Sequence, residues 1–155
     1  MKIKIICLGK TKERFVKIGI DKYVNRISKY INLEWKIVAD TKLTSTNTIK
    51  LVKDQEADTI IKYISEDNYL VALDEKGKIA SSKGFAKFLK RKMLGSKDII
   101  FIIGGVYGLS KKVLELADLK LSFSQFTFTH QMIRLLLSEQ LYRALTIIHG
   151  RSYHY

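Results

Sequence analysis

The 155-residue chain contains five consecutive apolar residues, Ile99 to Ile103, that predict a strand buried on both of its faces. Strands of this kind belong to parallel sheets with helices on both sides, because a strand with one solvent-exposed face alternates apolar and polar residues. A second run of strand length, Tyr69 to Leu73, is equally apolar. Together the two runs indicate an α/β domain with a mostly parallel sheet flanked by helices.

Strand and helix patterns alternate along the rest of the chain. Residues 2–8 and Leu33–Val38 read as strands, one or two short strands lie within 119–128, and Asp74 to Gly77 is expected to end the third strand. The first helix should bury the apolar face of Phe15, Ile18, Tyr23, Ile27 and Tyr30. The predicted helices and their capping residues are about 12–30 (Thr11), 48–64 (Asn47), a helix ending near Leu94 (Ser81 or Ser82), a helix ending near Ala117 (Ser110), and His130–His149.

Length and composition bound the class of protein. The length favours one domain over residues 1–155, and a single cysteine, Cys7, excludes an internal disulfide. The apolar stretch Ile5 to Gly9 is too short for a signal peptide, and Ile99 to Leu109 is shorter than the ~20 residues of a membrane helix. We therefore expect a soluble, cytoplasmic protein without membrane contact.

A strong positive charge suggests a nucleic-acid partner. The formal net charge is +13, and residues 79–155 hold 12 basic but only four acidic residues. Such an excess attracts a phosphate backbone by long-range steering and counterion release. Five cations, Lys83, Lys87, Lys90, Arg91 and Lys92, lie on one predicted helix. They form either a phosphate-contacting surface or an ordinary solvated face.

Three segments at predicted strand ends are candidates for a ligand site. Ligands of parallel sheets bind beyond the carboxyl ends of strands, which places Leu73–Asp74, Gly104–Gly105 and 123–128 together. The loop GGVYGLS at 104–110 lacks the spacing of a dinucleotide fingerprint or a P-loop. Its glycines fit either close approach to a ligand or a plain tight turn.

The histidines do not form a recognisable metal motif. His130, His149 and His154 are not spaced for zinc, so no metal is expected, and no nucleophilic-serine motif occurs. His130 opens the last predicted helix, where the helix dipole favours the neutral ring. That helix is apolar nearly all round, which indicates either a subunit interface or deep burial within one chain. Cys7 is expected in the core.

Four segments of the chain carry a family resemblance: the start KIKIICLGK, YLVALDEKG (69–77), IIFIIGGVYGLS (99–110) and FTHQMIRLLLSEQLYRALTIIHGRSYHY (128–155). They closely resemble the ribosomal RNA large-subunit methyltransferase H family. This family belongs to the SPOUT, or α/β-knot, superfamily. The resemblance covers the whole chain. Two departures stand out: Thr129 and Ser152 occupy positions where the family usually has proline.

The resemblance implies a fold, an activity and a set of contacts. It implies a SPOUT domain with a C-terminal trefoil knot, working as a homodimer in the cytoplasm. The activity would be transfer of methyl from S-adenosylmethionine to N3 of a pseudouridine in 23S rRNA of the assembled ribosome. The implied cofactor contacts are Leu73, Gly104, Gly105, Phe123, Ser124, Gln125, Phe126, Thr127 and Phe128.

Several catalytic assignments stay open from the sequence. His130, His154, Glu139 or water could take the N3 proton, and Arg134 or Arg143 could hold RNA phosphates or uracil carbonyls. The tail from Arg151 to Tyr155, including Tyr153 and His154, could reach a partner's pocket. Two other functions remain: a non-catalytic ribosome-associated RNA-binding protein, and a SPOUT methyltransferase acting on transfer RNA.

Overall fold

A computed structural model describes residues 1–153, and within them five strands form one parallel sheet. The strands are β1 (Ile3–Leu8), β2 (Leu33–Val38), β3 (Asn68–Ile79), β4 (Asp98–Ile103) and β5 (Leu119–Ser122). Their order across the sheet is β2-β1-β4-β3-β5, and each neighbouring pair is parallel. Ile99 to Ile103 are all buried. The predicted α/β class is confirmed; the knot stays a prediction.

Five helices cover the two faces of the sheet within residues 1–153. They are α1 (Arg14–Ile27), α2 (Ile49–Ile61), α3 (Ser82–Met93), α4 (Lys111–Leu116) and α5 (Met132–Ile148). One apolar cluster joins Ile5 and Cys7 of β1 to α1, α3 and α5, and the other joins Ile6 and Leu8 to α2 and α4. This alternation is the period of two expected of a strand between helical layers. No helix in this part of the chain is long and apolar enough to cross a membrane.

The last helix, α5, lies between α1 and α3. On the α1 side, the Leu135 side chain fills the space beside Gly19, where an added Cβ would lie 2.7 Å from Leu135 Cδ1. The Tyr142 ring lies 6.0 Å from that of Tyr23 and 6.2 Å from that of Tyr30, measured between centroids. Contacts within one chain therefore account for the width of the apolar surface on α5, so a dimer has to be argued from other residues.

The predicted inner face of α1 was partly wrong. Val16, Ile20 and Ile27 are the buried residues, whereas Phe15 is 62% and Ile18 is 58% exposed. Thr11 does not cap the helix, which begins at Arg14. The Thr11 hydroxyl instead accepts a hydrogen bond from Arg134 Nη1 at 3.0 Å.

The predicted end of β3 at Asp74 to Gly77 was also wrong. The strand continues to Ile79, and its pairing with β5 shifts register between Leu73 and Lys78. A Cβ at Gly77 would lie 2.7 Å from the β5 backbone at Leu121 N. Gly77 therefore permits a bulge and close approach between strands rather than a turn that ends the strand.

Capping predictions held where the capping hydroxyl has no competing partner. Ser81 accepts from Gly84 N and Ser110 accepts from Val113 N, as predicted. In α2 the cap is Thr48 rather than Asn47, because the Asn47 amide is used within its own loop, where it accepts from Thr44 N and donates to Lys42 O. α5 begins at Met132, two residues later than predicted.

Candidate functional site

A pocket of about 720 Å³ opens at the carboxyl edge of the sheet, beside the bulged part of β3 and the ends of β4 and β5. This volume is in the range of small-molecule sites. The three strand-end segments predicted from the sequence converge on it. The pocket is lined by Leu73–Lys76, Ile103–Leu109, Leu121–Ser124, Phe126–His130, Ile133, Lys53 and Leu114.

The cofactor contacts expected from the resemblance nearly all lie in this wall. Gln125 is the exception: it is exposed and does not line the pocket. The other expected residues form the wall, namely Leu73, Gly104, Gly105, Phe123, Ser124, Phe126, Thr127 and Phe128. Their shared location makes one ligand able to contact all of them, and their assignment to a cofactor remains a prediction.

The glycine loop after β4 is closed by its own backbone. Gly105 and Gly108 form a bridge, and Gly108 has a φ of +74°, which favours glycine. A Cβ on Gly104 would lie 2.7 Å from Gly108 C and 2.9 Å from Leu109 N. Gly104 is therefore required by the turn itself, and any ligand at this wall meets a loop whose shape depends on that glycine.

The range 119–128 contains one short strand, β5, as predicted, and the segment that follows it, 123–128, is irregular. It is held by side-chain to backbone bonds: Ser122 Oγ donates to Ser124 O at 2.8 Å, and Phe126 N donates to Ser124 Oγ at 2.9 Å. Thr127 Oγ1 donates to Glu75 Oε2 at 3.0 Å, which ties the segment to β3. Phe126 is left 81% exposed at the rim of the pocket.

His130 lies at the entrance to α5 and lines the pocket. Burial, followed by the charge of Arg134, lowers its pKa, so the ring is neutral near pH 7. The lowered pKa of His130 agrees with the neutral ring predicted from the sequence, but its main cause is desolvation and not the helix dipole.

The hydrogen bonds of Gln131 determine the tautomer of His130. Gln131 Oε1 accepts from Lys12 N at 2.9 Å, so its Nε2 is the donor to Lys10 O and to His130 Nε2. His130 Nε2 is then an acceptor and Nδ1 carries the proton. With its basic nitrogen already bonded, His130 is suited to donate a hydrogen bond rather than to take a proton.

Arg134 is fully buried, which corrects the expectation that it holds an RNA phosphate or a uracil carbonyl. Nη1 donates to Gly9 O at 2.9 Å, and Nη2 donates to Leu8 O. The guanidinium thus satisfies carbonyls at the end of β1. Desolvation lowers its pKa, with Asp40 acting in the opposite direction. The role visible in the structure is to join α5 to the carboxyl end of β1.

Arg143, Glu139 and Tyr153 form a second cluster at a distance from the pocket. Arg143 Nη2 contacts Glu139 Oε1 at 2.6 Å, and the side-chain hydrogen bond with Glu139 raises the pKa of Arg143. Tyr153 places its hydroxyl 3.3 Å from that of Tyr23 and 3.4 Å from Glu139 Oε1. Burial raises the pKa of Tyr153. None of the three lines the pocket. The candidate His154 lies outside the described residues.

Sequence reasoning missed Glu56, which is only 4% exposed. Oε1 accepts from Thr41 N at 3.1 Å, and a Cβ on Gly105 would lie 3.3 Å from that oxygen. Oε2 has no hydrogen-bond partner among residues 1–153. The signal was present: Glu56 lies four residues after Val52 and four before Ile60, on the buried stripe of α2.

We expect Glu56→Gln to raise the free energy of unfolding at pH 7.5 by on the order of 1 kcal/mol, the scale of a poorly satisfied buried polar group. Burial raises the pKa of Glu56 in the folded state, so wild-type stability is highest below the unfolded pKa and falls as the pH rises through the folded one. The difference in the free energy of unfolding between Glu56→Gln and wild type should therefore shrink toward pH 4. Urea unfolding at several pH values measures it, with exposed Glu66→Gln as the control; a pH-independent difference would contradict the assignment.

The described residues offer no metal site, since no group of three or more His, Cys, Asp or Glu side chains is placed to hold an ion within 1–153. Cys7 is buried in β1, and desolvation raises the pKa of its thiol to about 12. The thiol is therefore protonated at neutral pH and belongs to the core, as predicted.

Comparisons with known proteins agree in placing this fold among methyltransferases. Residues 1–154 match the family model described as "Predicted SPOUT methyltransferase". The chain is 43% identical over 158 residues to the ribosomal RNA large subunit methyltransferase H of Clostridium botulinum (strain Kyoto / Type A2), covering 99% of both chains. A probable methyltransferase of Bordetella pertussis superposes with a TM-score of 0.60 at 13% identity, covering 93% of this chain and 94% of that one. The tRNA (m1G37) methyltransferase of Aquifex aeolicus gives 0.56 at 11% identity, over 92% and 70%; at these identities the two structures show the fold alone.

Proposed function

This chain belongs to the SPOUT methyltransferase family, and we propose that it transfers the methyl group of S-adenosylmethionine to N3 of a pseudouridine in 23S rRNA. The proposal includes the assembled ribosome as substrate and the cytoplasm as the place of action. The observation that carries it is the pocket beside β3 and the ends of β4 and β5, which gathers the segments that the family resemblance assigns to the cofactor. Full-length similarity to an enzyme named for ribosomal RNA supports the substrate.

The residues of the pocket fit S-adenosylmethionine chemically. Leu73, Ile103 and Leu121 give an apolar floor for a flat ring, and the bent loops around it offer backbone donors and acceptors for the polar edge. Asp74 and Glu75 also line the pocket, so carboxylates lie close to where a positively charged ligand would bind. An apolar cavity with carboxylates at one side suits a molecule that is both aromatic and cationic.

When bound, S-adenosylmethionine supplies a methyl group already activated by its sulfonium. What the chain must provide is alignment of the target nitrogen, exclusion of water and a path for the N3 proton. His130, as the neutral ring protonated on Nδ1, would donate a hydrogen bond to a carbonyl oxygen of the base and so stabilise the charge that develops on proton loss. Water or His154 remains as the proton acceptor, because Glu139 is paired with Arg143 away from the pocket.

The position of the tail supports a homodimer with a shared site. α5 begins beside the pocket and is 17 residues long, which separates its two ends by about 25 Å. Arg151 and Tyr153 follow the far end, and Tyr153 folds back only as far as Glu139, near the middle of the helix. Neither residue lines the pocket of its own chain. If the tail takes part in methyl transfer, as its chemistry suggests, it acts in the pocket of a second copy.

Phe15 and Ile18 of α1 are the residues we assign to the dimer contact. They are three residues apart on one helix face and expose 62% and 58% of their surface. Phe15→Glu with Ile18→Glu should give a folded monomer, because neither side chain belongs to the apolar core. Light scattering at micromolar concentration measures the mass, and circular dichroism checks the fold. If the double variant remains dimeric, the interface lies on another surface of the chain. Leu135→Glu or Tyr142→Glu is a poorer test, since both residues pack within the chain.

Two measurements test the proposed function. Isothermal titration calorimetry should show stoichiometric binding of S-adenosylmethionine, and tritiated methyl transfer should label assembled ribosomes more than naked 23S rRNA or transfer RNA. Binding of the cofactor with labelling of transfer RNA alone would favour the transfer-RNA alternative. Ribosome binding without cofactor binding would favour the non-catalytic RNA-binding alternative.

A further inference from the structure

The outer face of α3 is strongly basic. Lys83, Lys87, Lys90 and Arg91 are exposed on it, opposite the buried residues Phe85, Ala86 and Leu89. Residues 81–97 hold six basic residues and no acidic one. Lys83, Lys87 and Arg91 are spaced by four residues, so they form one row that rises about 6 Å at each step.

These charges have no neutralising partner in the part of the chain that the structure describes. Other lysines, among them Lys4, Lys111 and Lys112, lie within 4 Å of a carboxylate oxygen, but Lys83, Lys87, Lys90 and Arg91 do not. Lys92 lies over the Tyr69 ring, 3.3 Å from its centroid, and is used within the fold. The row is therefore available to an external anion.

Helix stability explains only part of this pattern. Lys90 and Arg91 lie in the last turn, where a positive charge is favourable to the helix dipole. Lys83 is the second residue of α3, where a positive charge is unfavourable, and the first turn contains no acidic residue. Lys83 also lies at the end of α3 that follows β3 and faces α5, where the neighbouring Ser82 bonds to Gln140. A cation that opposes the dipole at that place indicates a binding role.

We propose that the row of Lys83, Lys87 and Arg91, with Lys90 next to it, docks the phosphate backbone of the RNA substrate. The proposal rests on the proposed function, since it takes RNA as the substrate. A regular row of unpaired cations matches a regular row of phosphates in charge and needs no base contact. The row would position the RNA, while selection of the target base would be left to the pocket.

Lys83→Gln with Lys87→Gln tests the row in the full-length protein. Without two phosphate contacts, the Kd for ribosomes at 0.15 M salt should rise roughly tenfold, and the plot of log K against log salt should become shallower by about 1.4 to 1.8. KM should rise in step, whereas kcat at saturating ribosomes and the affinity for S-adenosylmethionine should not change. Lys29→Gln with Lys62→Gln is the control, with the same loss of charge at exposed positions.

The outcomes separate this proposal from the proposed function. If the α3 variant and the control bind ribosomes as wild type does, while methylation persists, the row is not a docking surface and the function stands. If wild-type protein neither binds nor methylates ribosomes, the function itself fails. If the α3 variant loses only binding to vesicles of phosphatidylserine and phosphatidylcholine, the surface serves a membrane and the RNA proposal is overturned.

Discussion

Gly104→Val is expected to weaken binding of S-adenosylmethionine by at least about a hundredfold and to remove methyl transfer in the same proportion. Even a single Cβ here would lie 2.7 Å from Gly108 C, and backbone cannot yield as a flexible side chain can. The loop from Gly104 to Gly108 must therefore open, and with it the wall of the pocket. Overpacking of this kind costs about 1–3 kcal/mol, which corresponds to about fivefold to 150-fold in affinity for one methyl group and more for valine.

Calorimetry with S-adenosylmethionine measures the loss, and thermal unfolding shows whether the rest of the chain remains folded. Gly104→Ala should give an intermediate loss. Gly95→Ala is the matched control, because a Cβ at Gly95 would meet Lys92 O at an ordinary 3.4 Å and the residue lies after α3, at the other edge of the sheet. Wild-type affinity in Gly104→Val would place the cofactor elsewhere.

The sequence predicted the place of the pocket because the rule that determines it is local. A strand buried on both faces can be read from Ile99 to Ile103, and a parallel sheet brings the carboxyl ends of its strands together. The sequence did not predict the sheet order, in which β5 pairs with β3 and β4 lies between β1 and β3. That order depends on contacts between distant segments, and periodicity carries no information on them.

The residues whose locations the sequence predicted wrongly have one physical cause in common. Thr11 is a good N-cap by residue type, but its hydroxyl is taken by Arg134, 123 residues later. Arg134 looked available to RNA because arginine is usually exposed, yet the carbonyls of Leu8 and Gly9 hold it in the interior. Phe15 and Ile18 looked like core residues because they are apolar, and only the packing of α5 shows which side of α1 is covered. In each case a long-range partner overrides a local preference.

The tail after α5 leaves the helix in a fixed direction. Gly150 has a φ of +64°, Gly150 N donates to Ile147 O, and Arg151 N donates to Thr146 O, a pair of bonds that defines a Schellman motif. Tyr153 then packs edge-on against Tyr142 at 4.8 Å between centroids, beneath the Arg143 guanidinium. An ordinary terminus frays; this one is directed and anchored as far as Tyr153.

Deletion of residues 151–155 should lower the rate of methyl transfer to ribosomes by at least about a hundredfold, the lower range for loss of a proton-transfer group. The affinity for S-adenosylmethionine should stay within a few fold, because neither Arg151 nor Tyr153 lines the pocket of its own chain. Filter binding of tritiated methyl and calorimetry measure the two quantities.

Two smaller changes separate chemistry from anchoring in the tail. Deletion of residues 154–155 removes His154 and keeps Tyr153, so it should reproduce the loss if His154 takes the proton. Tyr153→Phe removes the hydroxyl shared with Tyr23 and keeps the ring against Tyr142, so its rate should stay within a few fold of wild type.

Mixed dimers of truncated chains and Gly104→Val chains would regain activity in one of their two pockets if the tail serves its partner, since one intact pocket then meets one intact tail. Full activity in the 151–155 deletion would show that the tail is expendable.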